Sequence, residues 1–477
     1  MQATSRDFTA NAEAALANRN LQRALAMMTA TGFPVRRHEV VARLPEFEAL
    51  REIGQSIKEH TLAHLDFYLE AYEKEVVASG GIVHWARTAE EACAAVLEIC
   101  RAAGASTVTK GKSMIAEEIG LNPFLESHGI TPVETDLGEY IIQLRHEPPS
   151  HLIAPAMHLV KEQVADTFRT AHRARDPERS LAEPRQLCDE ARAELRPRFL
   201  AAEVGITGAN FLVAESGSGI IVTNEGNGDL TQTLPRVHIV IASLEKLVPT
   251  FEDAATLLRL LARSATGQEF SSYTTVSTGP RRPGDIDGPQ AYHVVLVDNG
   301  RSALLGGEFH DMLRCIRCGA CMNHCPVYAA VGGHAYGWVY PGPMGAVLTP
   351  GLIGIEAAAP LPEASTLCGR CESVCPVKIP LPKLLRQWRE REYVRRLIPR
   401  RWRAGLSLWA WVAARPALYH VLSELASRAL GWAGARRGRF RALPFAGGWT
   451  RVRDLPAPEG RSFHSLWAEH QKRKAPR

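Results

Sequence analysis

No long apolar run is present in the 477 residues: the nearest, LSLWAWVAA at 406–414, is closed by Arg415 and falls well short of the ~18 residues a spanning helix needs. The first twenty residues, MQATSRDFTANAEAALANRN, hold no apolar core of the secretory kind, so the expected location is cytoplasmic, with peripheral attachment at the inner membrane face left open. Neither phosphate-binding signature is complete. VTKGKSM at 108–114 suggests a P-loop, but its first glycine position is Ser106; a turn or an anion-binding helix start around Lys110, Lys112 and Ser113 remains. No G-x-G-x-x-G follows an apolar strand pattern, which argues against a flavin or nicotinamide fold. Aromatic residues make up 7% of the chain, yet seven of nine tryptophans fall after residue 385.

Charge is also unevenly spread. From Lys383 to the end there are 22 Lys+Arg and 6 Asp+Glu, so the tail carries +16 and the remaining chain −11. The Arg- and Trp-rich stretch 386–425 reads as a small helical domain with a solvated basic face, and secondarily as a surface for an acidic partner or for anionic lipid. Nucleic acid fits poorly with the acidic body.

The length implies several domains. Residues 1–75 read as a helical segment from apolar residues three and four apart, ending before Gly80-Gly81. Residues 76–300 alternate strand patterns (GIVHWA, ASTVTKG, GITPVETD, EYIIQL, NFLVAE, GIIVTN, HIVIAS, HVVLVD) with helical ones (TAEEACAAVLEICRAAG, FEDAATLLRLLARSA), which predicts an α/β fold with a largely parallel sheet. The glycine-dense stretch 205–231 reads as tight turns between buried strands, or as a pocket where backbone amides meet an anion near Glu225. The loop 277–290 carries Arg281, Arg282, Asp285 and Asp287, either solvated or holding a carboxylate or phosphate.

Seven of the ten cysteines crowd into residues 315–375, the mark of metal binding and not of a disulfide framework. CIRCGACMNHCP places Cys315, Cys318, Cys321 and Cys325 at the ferredoxin spacing before Pro326, in which the fourth cysteine serves the other cluster. Closely spaced thiolates can wrap a cubane face on a tight loop, and Gly319 lets the backbone come near. The second motif, Cys368, Cys371 and Cys375 before Pro376, is one cysteine short; its missing position falls on Ser365. The crossed scheme assigns Cys315, Cys318, Cys321 and Cys375 to one cluster and Cys325, Cys368 and Cys371 to the other. Three endings are open for the second: an oxygen ligand such as Ser365, a donor from a partner or substrate, or a 3Fe–4S cluster. The plain reading of Ser365 is a turn residue, and zinc is the plain alternative to iron. Cys93 and Cys100 read as buried apolar residues, and Cys188 as no ligand. His310, His324 and His334 read as packing or surface residues, with His334 placed to tune a cluster by hydrogen bonding. Residues 301–385 are therefore a two-cluster iron–sulfur domain and residues 386–477 a basic Trp/Arg-rich domain.

CIRCGACMNHCPVY, GGHAYGWVYPGPMGAVLTP and TLCGRCESVCPVKIPLPKLL together resemble the iron–sulfur subunit family of the lactate utilization system (LutB type). GANFLVAESGSGIIVTNEGNGDL and YTTVSTGPRRPGDIDGP look like its LUD domain. That family too shows only three cysteines in the second motif. The resemblance implies a LUD domain of the CoA-transferase and ribose-phosphate-isomerase class, two clusters of the 4Fe–4S type, and partners in the form of a cysteine-rich LutA-type and a LUD-only LutC-type subunit. It implies a part in oxidising L-lactate to pyruvate. Two clusters are one-electron carriers, so the chain is expected to relay electrons with no complete active site of its own. The alternatives are a LUD domain that handles acyl or CoA groups through Glu225, with regulatory clusters, and a redox-sensing module gripping nucleic acid.

Overall fold

The computed structural model describes residues 3–444, 446–450 and 453–474, so part of the basic 386–477 region lies outside the described residues. The chain forms two compact units, residues 1–392 and 393–477.

The first unit is built on ten strands: β1 (Ile82–Ala86), β2 (Thr107–Lys110), β3 (Thr131–Glu134), β4 (Val204–Gly208), β5 (Phe211–Val213), β6 (Ser218–Thr223), β7 (Val237–Ser243), β8 (Leu247–Val248), β9 (Tyr273–Ser277) and β10 (Ala291–Val297). Six of them make one sheet in the order β1-β10-β7-β4-β2-β3, parallel at every pairing. The central strands read HIVIAS and YHVVLV, near-continuous apolar runs, because helices cover both faces of such a sheet. One face packs on Val96, Ile119 and Leu125, the other on Leu69, Tyr72 and Val76. A second sheet, in the order β8-β5-β6-β9, is mostly antiparallel.

Two expectations need correction. EYIIQL is not a strand; it lies in the helix Leu137–Arg145, whose first turn is capped by Asp136 accepting from the Glu139 amide at 3.1 Å. A six-residue apolar run fits either period, and the cap decides. GITG at 205–208 is not a turn but part of β4. Gly205 belongs there because a Cβ would fall 1.7 Å from the Thr231 carbonyl of the helix Asn227–Thr233 packed across the strand. Cys93 and Cys100 are buried in the sheet's helical cover as expected.

The N-terminal helices do not stand apart from the cysteine region. Ser5 Oγ donates to the Tyr336 carbonyl at 2.9 Å, and the Phe8 and Tyr336 rings meet edge-on at 5.3 Å. Arg51, on the helix Phe47–Ala63, donates from Nε and Nη2 to the Cys375 carbonyl at 2.9 and 2.8 Å. The second unit holds helices Arg400–Ala413, Pro416–Gly434 and Phe463–Lys474 and a short antiparallel pair, Arg439–Phe440 with Leu455–Pro456. Its Trp402, Trp409, Trp411 and Trp432 are exposed. Among the described residues, no helix is long and apolar enough to cross a membrane.

Candidate metal centre

The two cysteine motifs are the same turn made twice. Cys318-Gly319 and Cys368-Gly369 each enter a four-residue helix, Ala320–Asn323 and Arg370–Ser373. Gly319 (φ +74°) and Gly369 (φ +80°) cap those helices in the left-handed region, which glycine enters without strain. The residue before each cysteine is also left-handed, though not glycine: Arg317 at φ +60° and Leu367 at φ +53°. Non-glycine residues held so cluster at functional sites. The Arg317 amide donates to Cys315 Sγ at 3.4 Å. At the matching place the Leu367 amide donates to Ser365 Oγ at 3.1 Å. Ser365 therefore occupies the Cys315 position in the second turn.

Chain folding brings four thiols to one apolar cavity: Cys315, Cys318, Cys321 and Cys375 line it with Leu152, Ile316, Met344, Val377 and Ile379. All but Cys315 are buried. Burial, then the neighbouring Cys375 and Cys315 thiolates, push the Cys318 thiol far above its ordinary value. Burial and three neighbouring thiolates, Cys318, Cys315 and Cys375, do the same at Cys321, with a smaller contribution from Cys371. Such crowding disfavours four free thiolates and suits a cationic occupant that binds them together. The Ile379 amide donates to Cys375 Sγ at 3.4 Å, the kind of bond that supports a sulfur ligand.

Cys325, Cys368 and Cys371 form the other set. Burial and the Cys325 and Cys368 thiolates push the Cys371 thiol up to about 12. Cys368 differs: it is exposed, and bonds from the Arg370 amide and the Thr366 hydroxyl hold its thiol below the ordinary value. One set is thus buried and the other reaches the surface. Sulfur and amide donors at both sets, and the apolar cavity at the first, fit iron–sulfur clusters.

The histidines near the cysteines bond elsewhere: His324 Nδ1 to the Ala320 carbonyl at 2.9 Å, and His334 Nε2 to the Pro148 carbonyl at 2.8 Å. Cys188 is exposed and far in sequence from both sets. Arg281, Arg282, Asp285 and Asp287 lie on an exposed loop pinned by its own backbone, with the Arg281 amide on the Pro289 carbonyl at 2.8 Å. Glu117, Glu134 and Glu139 converge closely enough to suggest a cation, but Lys110 Nζ already fills that place, 2.7 Å from Glu134 and 3.1 Å from Glu117. Lys110 is therefore unavailable to an anion, contrary to one sequence expectation. Lys110→Met is expected to cost about 3–5 kcal/mol at pH 7, the penalty of stranding buried charge. Burial pushes the Glu134 and Glu139 carboxyls up, so they take protons readily once the ammonium is gone, and the loss should shrink as pH falls toward 5. Urea unfolding at the two pH values measures it; an equal loss at both would refute the reasoning.

Beside the first set, through Arg317, lies a cavity that the sequence shows only in pieces. Lys112, Ser113 and Glu225, singled out separately, line one cavity with Lys246, Arg317 and Tyr340. Arg317 and Tyr340 were not singled out as pocket residues; the one available signal was an arginine inside a cysteine motif. A buried ion network holds this wall. Arg301 makes a bidentate pair with Glu118 at 2.8 and 2.7 Å, Glu245 lies 2.8 Å from both Arg301 and Arg317, and the Tyr340 hydroxyl donates to Glu118 at 2.6 Å.

Three family descriptions match the chain: LUD domain over residues 69–297, 4Fe-4S dicluster domain over 311–379, and lactate utilisation protein B, C-terminal, over 398–472. Residues 311–379 are accordingly an iron–sulfur cluster region, which sets zinc aside. The chain is 45% identical over 475 residues to the lactate utilization protein B of Geobacillus thermodenitrificans, covering 98% of this chain and 97% of that one. It is 46% identical over 445 residues to the protein of the same name from Shouchella clausii, covering 91% and 90%. An Escherichia coli relative described as an uncharacterized electron transport protein is 42% identical over 438 residues, covering 91% of each chain.

Proposed function

The chain belongs to the lactate utilization protein B family, and from that premise we propose that it is the iron–sulfur electron-transfer subunit of a complex oxidising L-lactate to pyruvate. The observation that carries the reading is the pair of neighbouring thiol sets, one around a buried apolar cavity and one opening to the surface at Cys368. A bound 4Fe–4S cluster accepts and returns one electron at a time. The residues do the rest. Cys315, Cys318, Cys321 and Cys375 hold one cluster, and Cys325, Cys368 and Cys371 hold the other, with Ser365 Oγ as its fourth donor. The apolar wall of Leu152, Met344 and Ile379 keeps water from the first set. Exposed Cys368 brings the second set to where a partner can meet it.

The partners proposed are the cysteine-rich LutA-type and the LUD-only LutC-type subunits. The second unit, with Arg415 stacked over Trp411 at 4.1 Å and exposed tryptophans among a basic excess, offers an acidic partner a surface. Glu225 does line the cavity of the LUD-type region. Burial and the Asp136 charge push its carboxyl up; the thiol sets, and not this carboxyl, carry the reading, so electron transfer leads.

Anaerobic reconstitution of the full chain tests the assignment. About eight iron per polypeptide is expected, with paramagnetism mainly after reduction. Zinc in place of iron, or iron that survives loss of both Cys321 and Cys371, would sink it.

A further inference from the structure

The cavity over the C-terminal ends of the sheet strands has a volume of about 230 Å³. Lys112 follows β2, Asn210 follows β4 and Lys246 follows β7, the edge at which open parallel sheets place their ligands. Its far wall comes from the cysteine region through Arg317. Two of its cations have unfilled bonding capacity. Lys112 Nζ is shut off from water and makes no hydrogen bond among the described residues. Arg317 spends Nη2 on Glu245 at 2.8 Å, while Nη1 is buried with no partner. An isolated buried ammonium is costly to maintain, and proteins keep buried charges that are paired or that bind something. The only acids on the same lining are Asp136 and Glu225, and neither makes an ion pair with Lys112 among the described residues.

We propose that this cavity binds a small organic anion, its carboxylate or phosphate group held by Lys112, Lys246 and Arg317. The occupant would lie close to the first thiol set, because Arg317 both lines the cavity and gives its backbone amide to Cys315 Sγ. Only this adjacency rests on the electron-transfer reading; the anion site stands without it. Asn210 and the Asp136 and Glu225 carboxylates suit hydroxyl groups on the occupant, so a hydroxylated acid or a sugar phosphate fits better than a bare apolar acid.

The test uses the reconstituted full chain, titrated calorimetrically with L-lactate, with pyruvate and with inorganic phosphate, its iron content measured on the same sample. Saturable one-site binding of at least one of the three is expected, weakened at least tenfold in both Lys112→Met and Lys246→Gln. Binding of L-lactate or pyruvate assigns a carboxylate occupant, and binding of phosphate alone assigns a phosphorylated one. Lys112→Met loses no hydrogen bond, but it removes a positive charge that acts on Asp136, Glu139, Glu225 and Glu134; Lys246→Gln reads the site independently if Lys112→Met melts lower. Burial, then Arg317, lowers the Lys246 ammonium to about 8, against the opposing pull of Glu245 and Cys315 and with Arg301 adding to the lowering. Affinity should accordingly fall as pH rises through about 8. A bound anion should also shift the EPR spectrum of the reduced protein. Absence of binding for all three anions, or unchanged affinity in both variants, overturns the site. Missing iron in a sample that still binds anion would instead overturn the cluster reading.

Discussion

Glu245→Ala is expected to destabilise the 1–392 unit by about 3–5 kcal/mol at neutral pH, the usual consequence of stranding a buried partner charge. Glu245 is 2% exposed and is the shared counter-ion of Arg301 and Arg317, themselves 2% and 8% exposed. Its contact with Arg301 Nε is close but poorly aligned for a hydrogen bond, so charge, more than bond geometry, holds this pair. Burial alone would raise the Glu245 carboxyl; Arg301 and Arg317 outweigh it and hold the carboxyl at about 2, against an ordinary 4.5. A carboxylate depressed in the folded state contributes stability that is complete above about pH 4.5 and lost as pH falls toward 2, on the order of 3 kcal/mol at about 1.4 kcal/mol per unit. Urea unfolding followed by tryptophan fluorescence between pH 7 and pH 3 should thus show the parent losing more stability than Glu245→Gln over that window. Both proteins are compared free of iron, so that the difference isolates the carboxylate. A Glu245→Ala variant within about 1 kcal/mol of the parent at pH 7 would show the network to be solvated in solution. The consequence for function is direct: Arg317 loses its anchor, and the cysteine turn that it shares should bind iron less tightly.

Much of this architecture is legible in the sequence, for reasons that differ by element. HIVIAS and HVVLVD declare a two-sided buried strand because nothing polar interrupts them. The ferredoxin spacing declares the thiol sets because thiolates on one tight turn have few other uses. EYIIQL failed because six apolar-rich residues carry no period, and the deciding atom was the side-chain oxygen of Asp136. β4 was hidden because its glycines, Gly205 under the Thr231 carbonyl and Gly208 beside Ser113, look locally like turn residues. The cavity was visible only as fragments. Lys112, Glu225 and Arg317 lie more than a hundred, and nearly a hundred, residues apart in sequence, and no local pattern states that a parallel sheet gathers its strand ends at one edge. Lys110 and Lys112 look alike in VTKGKSM. Strand alternation alone would leave both on one face; β2 ends at Lys110, and the turn after it sends the first into a carboxylate cage and the second to the cavity.

Ser365 offers the sharpest test of the second thiol set. Its Oγ accepts the Leu367 amide at 3.1 Å as Cys315 Sγ accepts the Arg317 amide at 3.4 Å, and Leu367 and Arg317 share the left-handed backbone. A serine turn could make the same bond on its own, so the hydrogen bond alone decides nothing. What favours ligation is the whole equivalence, with Gly369, Cys368 and Cys371 standing where Gly319, Cys318 and Cys321 stand. If Oγ is the fourth donor, Ser365→Ala leaves three ligands. Iron should then drop from about eight to about seven per chain, with a strong EPR signal in the oxidised protein from a 3Fe–4S cluster. Ser365→Cys should keep about eight iron and raise the potential of that cluster, since the harder, more basic alkoxide stabilises ferric iron more than a thiolate does. Ser365 is partly exposed and its hydroxyl bonds to a single amide, so neither change should cost more than about 1 kcal/mol. Unchanged iron content and spectra in Ser365→Ala would make the residue a turn former and leave the fourth position to a donor from outside the chain, which the exposed Cys368 face would admit.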